Sequence, residues 1–256
     1  MMAHIPSFSG YAIPDIPLIQ AGDDILSIAL EKIAQTDLSL QDGDVLVISS
    51  KILSKSEGRR IALDSVCPSD EAKQVAEETG KDPRIVELIL QDSVMVSRKR
   101  RGVLVTAHRL GFVSANAGVD QSNLLDGDNH VLILPADPDQ TAAEFRDIIY
   151  QRLGVYVGIV ISDTHGRPFR VGNIGVAIGV AGLPAVKDLR GRKDLYGRTL
   201  EISQQAYADL VASAAHLLCG EADEGYPVIL LRGVDIAPPH GKARDMNRLP
   251  ENDLYR

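Results

Sequence analysis

The sequence predicts an α/β or α+β protein whose sheets contain strands of mixed order. Helical and strand-like segments alternate along the chain, and Gly, Pro and Asp residues mark the turns between them. The composition is that of a globular protein, because 45% of the 256 residues are apolar and 24% are charged. This length allows one large domain or two modest ones with cores of their own. The sequence contains no internal repeat and no low-complexity segment.

The first half of the chain places helices around one buried strand. Apolar residues at helical spacing predict a helix over 24–36, and the uninterrupted apolar run at 45–48 predicts a buried strand. A Ser cap and a terminal Gly predict a helix over 69–80. An Asp-Pro pair, which is typical of a helix start, predicts a further helix over 82–91.

The second half of the chain is richer in strands. An Asp-Pro start and a final Gly delimit a helix over 137–154, and the segment 155–161 is the most strand-like of the protein. The other predicted elements are short strands at 94–96, 103–106 and 112–114, a hairpin turn at 108–111, a long helix at about 200–219 and a strand at 228–231. The apolar side chains that the long helix is predicted to bury are Ile202, Ala206, Leu210, Ala214 and Leu217.

The composition argues against several classes of protein. A binder of single-stranded nucleic acid needs a basic groove and aromatic platforms, whereas this chain has a net charge of −8, no Trp, seven Tyr and four Phe. Cys67 and Cys219 lie far apart without a CxxC pair or a neighbouring His, which excludes a disulfide framework and a zinc knuckle. We therefore expect a protein of a reducing compartment that does not bind nucleic acid.

No segment of the sequence predicts contact with a membrane. The N-terminal stretch has no basic region of the kind that opens a signal peptide. The longest apolar run, 171–186, has 16 residues and contains four Gly, one Pro and one Asn, so it is too short and too interrupted to span a bilayer. We expect a soluble, cytoplasmic protein.

Polar and charged residues cluster in four predicted loops that follow strands or helices, at 49–59, 116–123, 162–170 and 220–227. In the first, hydroxyls with Lys51 and Lys55 are suited to hold phosphate oxygens. In the third, Asp163 and Thr164 come directly after the best strand, where a carboxylate and a hydroxyl suit a metal–phosphate complex.

Each loop also has a purely structural interpretation. Loops 49–59 and 220–227 are typical of solvated surface turns, and 116–123 is typical of an Asx-rich turn. Asp163 alone also suits a turn in which it accepts backbone hydrogen bonds. The charged segment 187–198 either recognises an anion or solvates a connection, and its spacing leaves both interpretations open.

Taken together, the loops favour a magnesium–nucleoside triphosphate site. Asp120, Asp163 and Glu221 are hard-oxygen carboxylates at separate element ends, and Lys55, Asn123 and Arg167 are candidate phosphate or substrate contacts. Metal ions reduce the repulsion between protein carboxylates and a triphosphate, while basic groups hold the transferring phosphoryl group. The chain has no GxxxxGK(S/T) loop, HExxH helix or GxSxG elbow, so the site is not of the P-loop, zincin or serine-hydrolase kind.

The same segments carry a family resemblance in collinear order along nearly the whole chain. The matching stretches are Ile16-Pro17-Leu18-Ile19, Ser49-Ser50-Lys51 through Glu57-Gly58-Arg59, Asn116-Ala117-Gly118-Val119-Asp120 with Ser122-Asn123, Ser162-Asp163-Thr164 with Gly166-Arg167, Gly191-Arg192-Lys193-Asp194-Leu195-Tyr196-Gly197-Arg198, Gly220-Glu221 and the tail from Ala243 to Arg256. In these motifs the chain resembles the coenzyme F-420:L-glutamate ligase family, also called F-420-0:gamma-glutamyl ligase.

The resemblance implies a fold, a reaction and an assembly. The fold would be the two-domain mixed-sheet α/β fold of this family and not a P-loop fold, divided here into 1–96 plus 198–256 and a more β-rich 97–197. The reaction would be GTP-dependent addition of L-glutamate to the terminal carboxylate of a deazaflavin cofactor precursor, followed by gamma-linked extension. The family uses Mg or Mn, is helped by potassium and forms a homodimer.

The resemblance also implies residue roles. Asp120 and Asp163 would hold one divalent metal, and Thr164 with Glu221 a second. The GTP contacts would be Ile16, Pro17, Leu18, Ile19, Ser49, Ser50, Lys55, Asn123, Cys219, Gly220, Glu221, Ala222, Asp223, Glu224, Gly225 and Tyr226. The acidic tail of the acceptor needs cations, for which the candidates are Arg167, Arg170, Arg190, Arg192 and Lys193. His165 receives no catalytic role.

Three other functions remain open at this level. A paralogous amide ligase with another carboxylate acceptor would share the same motifs. A non-catalytic module that senses GTP or a deazaflavin would bind but not turn over GTP. A metal-dependent phosphohydrolase would release phosphate without any amino acid.

Overall fold

The computed structural model describes residues 5–124 and 129–253, and the end of the resembling tail, 254–256, lies outside them. The described residues contain the α-helices α1 (Ile25–Ala34), α2 (Ser50–Ser56), α3 (Asp70–Thr79), α4 (Pro83–Gln91), α5 (Pro138–Leu153) and α6 (Tyr207–Cys219). The strands are β1 (Ser9–Ala12), β2 (Val45–Ser49), β3 (Arg60–Ala62), β4 (Ser93–Arg100), β5 (Val103–His108), β6 (Val113–Ala115), β7 (His130–Leu132), β8 (Gly158–Arg167), β9 (Arg170–Ala181), β10 (Val186–Asp188), β11 (Gln204–Ala206) and β12 (Val228–Arg232).

A five-stranded sheet in the order β1-β12-β2-β8-β9 forms the centre of the protein. β2 and β8 are parallel, with Ser49 opposite Ser162, and the other neighbours in this sheet are antiparallel. The carboxyl end of β2 therefore lies beside the middle of β8, just before Asp163. A mixed α/β protein with strands of mixed order was predicted, and the architecture confirms it.

The two faces of the central sheet bury two apolar clusters. Alternate residues of β2, such as Leu46 and Ile48, pack on the side of α1 and α5. Val45 and Val47 point to the opposite side, where they meet the small residues of α6. Close packing of α6 against β9 requires Gly175, because a Cβ there would lie 2.6 Å from the carbonyl oxygen of Ala212.

Three smaller sheets surround the central one. β4, β5 and β6 form an antiparallel sheet, and β3 pairs with β7. A further buried cluster joins α3 and α4 to β5 through residues such as Val75, Val86 and Leu104. β10, at the start of the charged segment 187–198, pairs with β11, which follows that segment at Gln204–Ala206.

Several predicted elements are confirmed close to their predicted ends, because local side chains fix those ends. Asp24, Ser69 and Asp82 each cap a helix by accepting a hydrogen bond from a backbone N–H of its first turn. Gly80 and Gly154 end α3 and α5 in the left-handed conformation, at φ 68° and 72°. The strands predicted at 45–48 and 228–231 are β2 and β12.

The prediction for the long helix at 200–219 is wrong in its start and in its buried face. α6 starts at Tyr207, because Gln204–Ala206 pairs with β10 as a strand. Its buried residues include Ala208, Val211 and Ala212, whereas the predicted Leu217 is 85% exposed. Leu210 is half exposed, Ile202 and Ala206 are exposed, and Ala214 is partly buried. Close approach to β9 selects the small side chains for the inner face, and a hydropathy pattern does not report that selection.

Two of the four predicted loops are regular structure. Most of loop 49–59 is the helix α2, and most of loop 162–170 belongs to the hairpin of β8 and β9, which turns at 168–169. β8 was predicted to end at 161, but its polar continuation pairs with β9 as far as Arg167. Backbone pairing holds this extension, so it has no apolar signature in the sequence.

The predicted division into two domains stays a prediction. The central sheet contains β1, β2 and β12 from the first predicted unit and β8 and β9 from the second. In the part of the chain that the structure describes, no helix combines the length and apolar character that crossing a bilayer needs.

Candidate functional site

A cleft of about 990 Å³ opens where β2 ends beside the middle of β8. Ser49 and Ser50 reach it from the end of β2 and the start of α2, and Asp163 and Thr164 reach it from β8. Three other segments complete its wall, namely 16–21, 118–124 and 219–227. The cleft exists because the parallel pairing of β2 and β8 places the end of β2 next to Asp163 and Thr164.

The cleft gathers nearly all predicted ligands of metal and GTP. The four predicted metal ligands, Asp120, Asp163, Thr164 and Glu221, all line it. Every predicted GTP contact lines it except Glu224, whose carboxylate accepts a hydrogen bond from the backbone N–H of Ala222 at 2.8 Å. This and further backbone hydrogen bonds lower the pKa of Glu224, which therefore shapes the loop at 220–227 rather than facing the cleft.

Asp163 is oriented by two neighbours. Ser50 Oγ donates a hydrogen bond to Asp163 Oδ1 at 3.1 Å, and His165 Nε2 lies 3.1 Å from Asp163 Oδ2. The His165 ring is mostly buried and packs at 4.8 Å from the ring of Phe112. Both carboxylate oxygens are thus held in place by residues of the surrounding fold.

Asp120 is held by a lysine from across the cleft. Lys51 Nζ lies 2.7 Å from Asp120 Oδ2, and the backbone and hydroxyl of Ser122 also donate to this carboxylate. Burial raises the pKa of Asp120, but the hydrogen bonds from Lys51 and Ser122 outweigh burial and bring that pKa below its ordinary value. Asp120 is therefore anionic at neutral pH.

Lys55 is a cation among other cations. Its Nζ donates to the backbone carbonyl of Asn123 at 3.0 Å. Burial lowers the pKa of Lys55, and the positive charges of Lys51 and Arg60 lower it further. An anionic ligand in the cleft would relieve this repulsion, so the local electrostatics favour an anion beside Lys55.

The loop after α6 supplies the opposite wall of the cleft. Glu221 Oε1 lies 2.9 Å from Nε2 of the mostly buried His216. Asn123 Nδ2 donates to the carbonyl of Ala222 at 3.4 Å, so the loops at 116–123 and 220–227 meet. Burial, together with the charges of Glu221 and Glu224, raises the pKa of Cys219, so its thiol is not a reactive thiolate.

The comparison with protein families decides where this chain belongs. The family model described as F420-0:Gamma-glutamyl ligase matches residues 14–233, which include every predicted ligand of metal and GTP. The chain belongs to the F420-0:gamma-glutamyl ligase family. The resemblance stated from the motifs is confirmed.

Curated relatives of this family are similar along their whole length. The "Coenzyme F420:L-glutamate ligase" of Methanopyrus kandleri is 44% identical over 259 residues, covering 100% of both chains. That of Methanocaldococcus jannaschii is 43% identical and covers 94% of both chains. That of Methanothermobacter thermautotrophicus is 45% identical and covers 95% of this chain and 97% of the relative.

The side chains in this family member's cleft fit a hard divalent cation by their chemistry. Three carboxylates and one threonine hydroxyl offer only oxygen donors, which Mg²⁺ and Mn²⁺ prefer. Among the described residues, no group of three or more His, Cys, Asp or Glu side chains is already gathered around one point. The carboxylates are bonded instead to Lys51, His165 and His216, which are partners that a metal would share or replace.

The five predicted acceptor cations lie away from the cleft wall. Arg190 pairs with Asp188, and Lys193 Nζ donates to Thr199 Oγ1 at 2.6 Å. Arg170 and Arg192 are exposed, and Arg167 ends β8. These residues lie on two projections, the β8–β9 turn and the segment 189–202, and their role toward the acceptor stays a prediction.

Sequence reasoning missed the two histidines that touch predicted metal ligands. His165 received no role, although it follows Asp163 by two residues and so shares its side of a strand. His216 was not singled out, although it lies in the last turn of α6 next to the loop of Glu221. The strand signal was hidden because 162–170 was interpreted as a loop.

Proposed function

We propose that this protein is a GTP-dependent ligase that adds L-glutamate to the terminal carboxylate of coenzyme F420-0 and extends it by gamma linkage. One observation carries the proposal: a single cleft collects Asp120, Asp163, Thr164 and Glu221 together with Lys51 and Lys55. Carboxylates and cations around one space suit a metal–nucleotide complex and phosphoryl transfer. The names of the relatives support the choice of glutamate and F420.

The reaction proceeds through an acyl phosphate. An acceptor carboxylate oxygen attacks the γ-phosphorus of GTP, the bond from that phosphorus to the β–γ bridging oxygen breaks, and GDP leaves. The amine of glutamate, having given up one proton to solvent, then attacks the acyl carbon and expels phosphate. The nitrogen then loses a second proton, which the departing phosphate takes up. Such steps need alignment and charge neutralisation more than a protein nucleophile.

Each part of the cleft has a task in this proposal. Ser49, Ser50 and Lys55, at the end of β2 and in α2, hold phosphate oxygens of GTP. The segment 16–19 and the loop at 219–226 enclose the rest of the nucleotide, with Asn123 joining the two walls. The crowding of Lys55 by Lys51 and Arg60 supports an anion at this place.

Two divalent cations, Mg or Mn, complete the site in this proposal. Asp120 and Asp163 hold one, Thr164 and Glu221 hold the other, and potassium assists. Bound there, the cations would offset the negative charge of the triphosphate while its γ-phosphoryl group is transferred. The residues themselves contribute orientation, because Ser50 and His165 hold Asp163, and His216 holds Glu221.

The acceptor and the assembly belong to the same proposal. Arg167, Arg170, Arg190, Arg192 and Lys193 attract the acidic tail of the acceptor toward the two projections. Phe169, Val171, Leu195 and Tyr196 on those projections are almost fully exposed, at 94–101%. Apolar side chains this exposed favour contact with a second copy of the chain, so we include a homodimer.

A mass-spectrometric ligase assay tests the proposal. The protein is incubated with GTP, Mn²⁺, K⁺, L-glutamate and F420-0, and the products are weighed. We expect a product heavier by one or more glutamyl units, with GDP in matching amount. Phosphate release without glutamate would indicate a phosphohydrolase instead. GTP binding without any glutamylated product would indicate a sensor or a ligase for another acceptor.

A further inference from the structure

A second cavity, of about 550 Å³, lies at the β9 edge of the central sheet. Its walls come from the first turns of α5 and α6, the turn at 109–113, β9 and the segment 243–253. The family model matches the chain as far as residue 233, so the part of the wall formed by 243–253 lies beyond the matched region. The cavity shares none of its lining residues with the cleft of the proposed nucleotide site.

One hydrogen-bonded pair connects the two cavities. Asp163 lines the cleft, His165 lines the second cavity, and His165 Nε2 lies 3.1 Å from Asp163 Oδ2. The second cavity therefore adjoins the place where the proposed reaction activates a carboxylate. A ligand in it would lie beside the reacting groups without competing for the nucleotide pocket.

Most charged groups of the second cavity are already used by the fold. Arg109 donates to Asp92 and to the carbonyls of Pro135 and Ala136. Asp139 accepts from the backbone N–H groups of Val180, at 2.9 Å, and Ala243, at 2.7 Å. These contacts pin the sheet edge and the C-terminal segment, so both side chains have their partners.

Other charged groups there are only partly used. Arg244 donates to Asp139 at 3.3 Å and lies 3.8 Å from Asp137, yet its side chain remains 58% exposed. It can therefore turn part of its guanidinium toward a ligand without losing both contacts.

Asp209 and Arg248 have the most capacity left for a ligand. One oxygen of Asp209 accepts from the backbone N–H of Ala177 at 2.9 Å, and its other oxygen has no bond within the described part of the chain. Burial raises the pKa of Asp209, and the hydrogen bond from Ala177 and the nearby His165 offset this only in part. Arg248 lies at the exposed rim and has no ion pair or hydrogen bond to any residue in 5–124 or 129–253.

We propose that the second cavity binds the amino-acid substrate, L-glutamate, with Asp209 receiving its ammonium group and Arg248 one of its carboxylates. An amino acid with two carboxylates needs an anion and cations at one place, and the unused groups supply that combination. The proposal rests on the ligase function proposed above. It adds the site at which the amine of L-glutamate is held before that amine attacks the acyl phosphate.

The geometry also accounts for the order of the chemistry. Asp209 and His165 face the same cavity, and His165 contacts Asp163 in the cleft. An ammonium held by Asp209 stays protonated and unreactive until it leaves the carboxylate. The acyl phosphate can thus form in the cleft before the amine approaches it from the second cavity, past His165.

A pair of ligands that differ only in the amine tests the proposal. Binding of L-glutamate and of glutarate, which lacks the amine, is measured by isothermal titration calorimetry with GDP and Mn²⁺ present. Wild type should bind L-glutamate more tightly than glutarate. Asp209→Asn keeps an oxygen that can accept from Ala177 but removes the charge, and it should weaken L-glutamate at least ~10-fold while leaving glutarate nearly unchanged. Arg248→Gln should weaken the binding of both L-glutamate and glutarate.

Matched controls separate the site from general charge effects. Asp235→Asn and Arg98→Gln change exposed residues outside both cavities and should leave both affinities unchanged. The affinity for GTP should be the same in all variants. L-glutamate that binds wild type and Asp209→Asn equally well, or that does not bind wild type at all, overturns the proposal. If Asp209→Asn loses affinity for L-glutamate but not for glutarate, glutamate binding in this cavity is supported even when the ligase assay finds no product. The two proposals therefore fail separately.

Discussion

The cleft between β2 and β8 and the segment 189–202, which contains most of the charged segment 187–198, are both dense in charge, but their side chains find partners in different ways. In the cleft, some partners are distant in sequence, because Ser50 and Asp163 are 113 residues apart and Lys51 and Ser122 are 71 apart. In the segment, partners are near neighbours, because Lys193 and Thr199 are six residues apart. The cleft is therefore a product of the whole fold, whereas the segment is shaped by its own sequence.

This difference teaches how each region should respond to change. A substitution in the cleft alters a group that several distant elements orient, so function should suffer strongly. A substitution in the segment removes contacts between exposed neighbours, so stability should hardly change.

The largest effect is expected for Asp163→Asn. The amide keeps an oxygen for Ser50 but removes the charge that a divalent cation needs. We expect glutamylated product to fall at least ~100-fold, since metal stabilisation of the transferring phosphoryl group is worth several kcal/mol. The measurement is product formation by mass spectrometry, with the melting temperature as a check of folding.

The control for this prediction lies at the end of β10, directly before the segment 189–202. Asp188→Asn removes an exposed carboxylate that pairs with Arg190 two residues away. Its glutamylated product should stay within about twofold of wild type, as surface pairs contribute little. Equal losses in the two variants would contradict the contrast between the regions.

Low pH should reduce the free energy of unfolding through His108, which packs close to the cleft. This residue is fully buried beside Phe112, which in turn packs on His165. Burial lowers the pKa of His108 to about 4 from 6.5, so the folded protein keeps it neutral. As pH falls below 6.5 the unfolded chain gains the proton first, and the free energy of unfolding should drop by on the order of 3 kcal/mol by pH 4.

Urea unfolding at several pH values measures this dependence. His108→Asn, which can still accept the hydrogen bond from the Leu110 N–H, should lose most of the decline between pH 6.5 and 4. If wild type and variant decline in parallel over this range, the carboxylates and not His108 set the acid sensitivity.

The histidine next to Glu221 should govern metal affinity. His216→Ala removes the partner 2.9 Å from that carboxylate, and we expect Mn²⁺ to bind ~10- to 100-fold more weakly. Titration of free Mn²⁺ by electron paramagnetic resonance measures this without any substrate. His216→Gln, which can still donate an N–H, should recover part of the affinity, while a role in folding alone would leave metal binding unchanged in both variants.

The smallest effect on stability is expected in the segment 189–202. Leu195→Asp changes a side chain that is 99% exposed, so the free energy of unfolding of the monomer should stay within ~0.5 kcal/mol. If a second copy covers this residue, the variant should sediment as a monomer at concentrations where wild type is a dimer. A wild type that sediments as a monomer throughout would contradict the homodimer.

Local signals allowed much of the fold to be predicted from the sequence. The caps at Asp24, Ser69 and Asp82 and the glycines at 80 and 154 set helix ends through contacts with their own first or last turn. The buried strands β2 and β12 were visible because both faces are covered and their apolar runs are uninterrupted. Such features depend on a few neighbouring residues.

The predicted cleft residues could be named but not assembled. Motif resemblance singled out Asp120, Asp163, Thr164 and Glu221, yet nothing in their spacing shows that they line one space. The same limit explains the errors at β8 and α6. The polar half of β8 is a strand only because β9 pairs with it, and α6 turns its alanines inward only because Gly175 lets it approach β9.

The sequence by itself determined the fold class, the family and the identity of most residues of the proposed site. The assembly of the cleft was settled only in the folded chain, because Ser50 meets Asp163 across 113 residues and Lys51 meets Ser122 across 71. The second cavity likewise collects its walls from α5, α6, β9 and the segment 243–253. Caps, turns and apolar periodicity act within a few residues, whereas these contacts join elements that are far apart in the sequence.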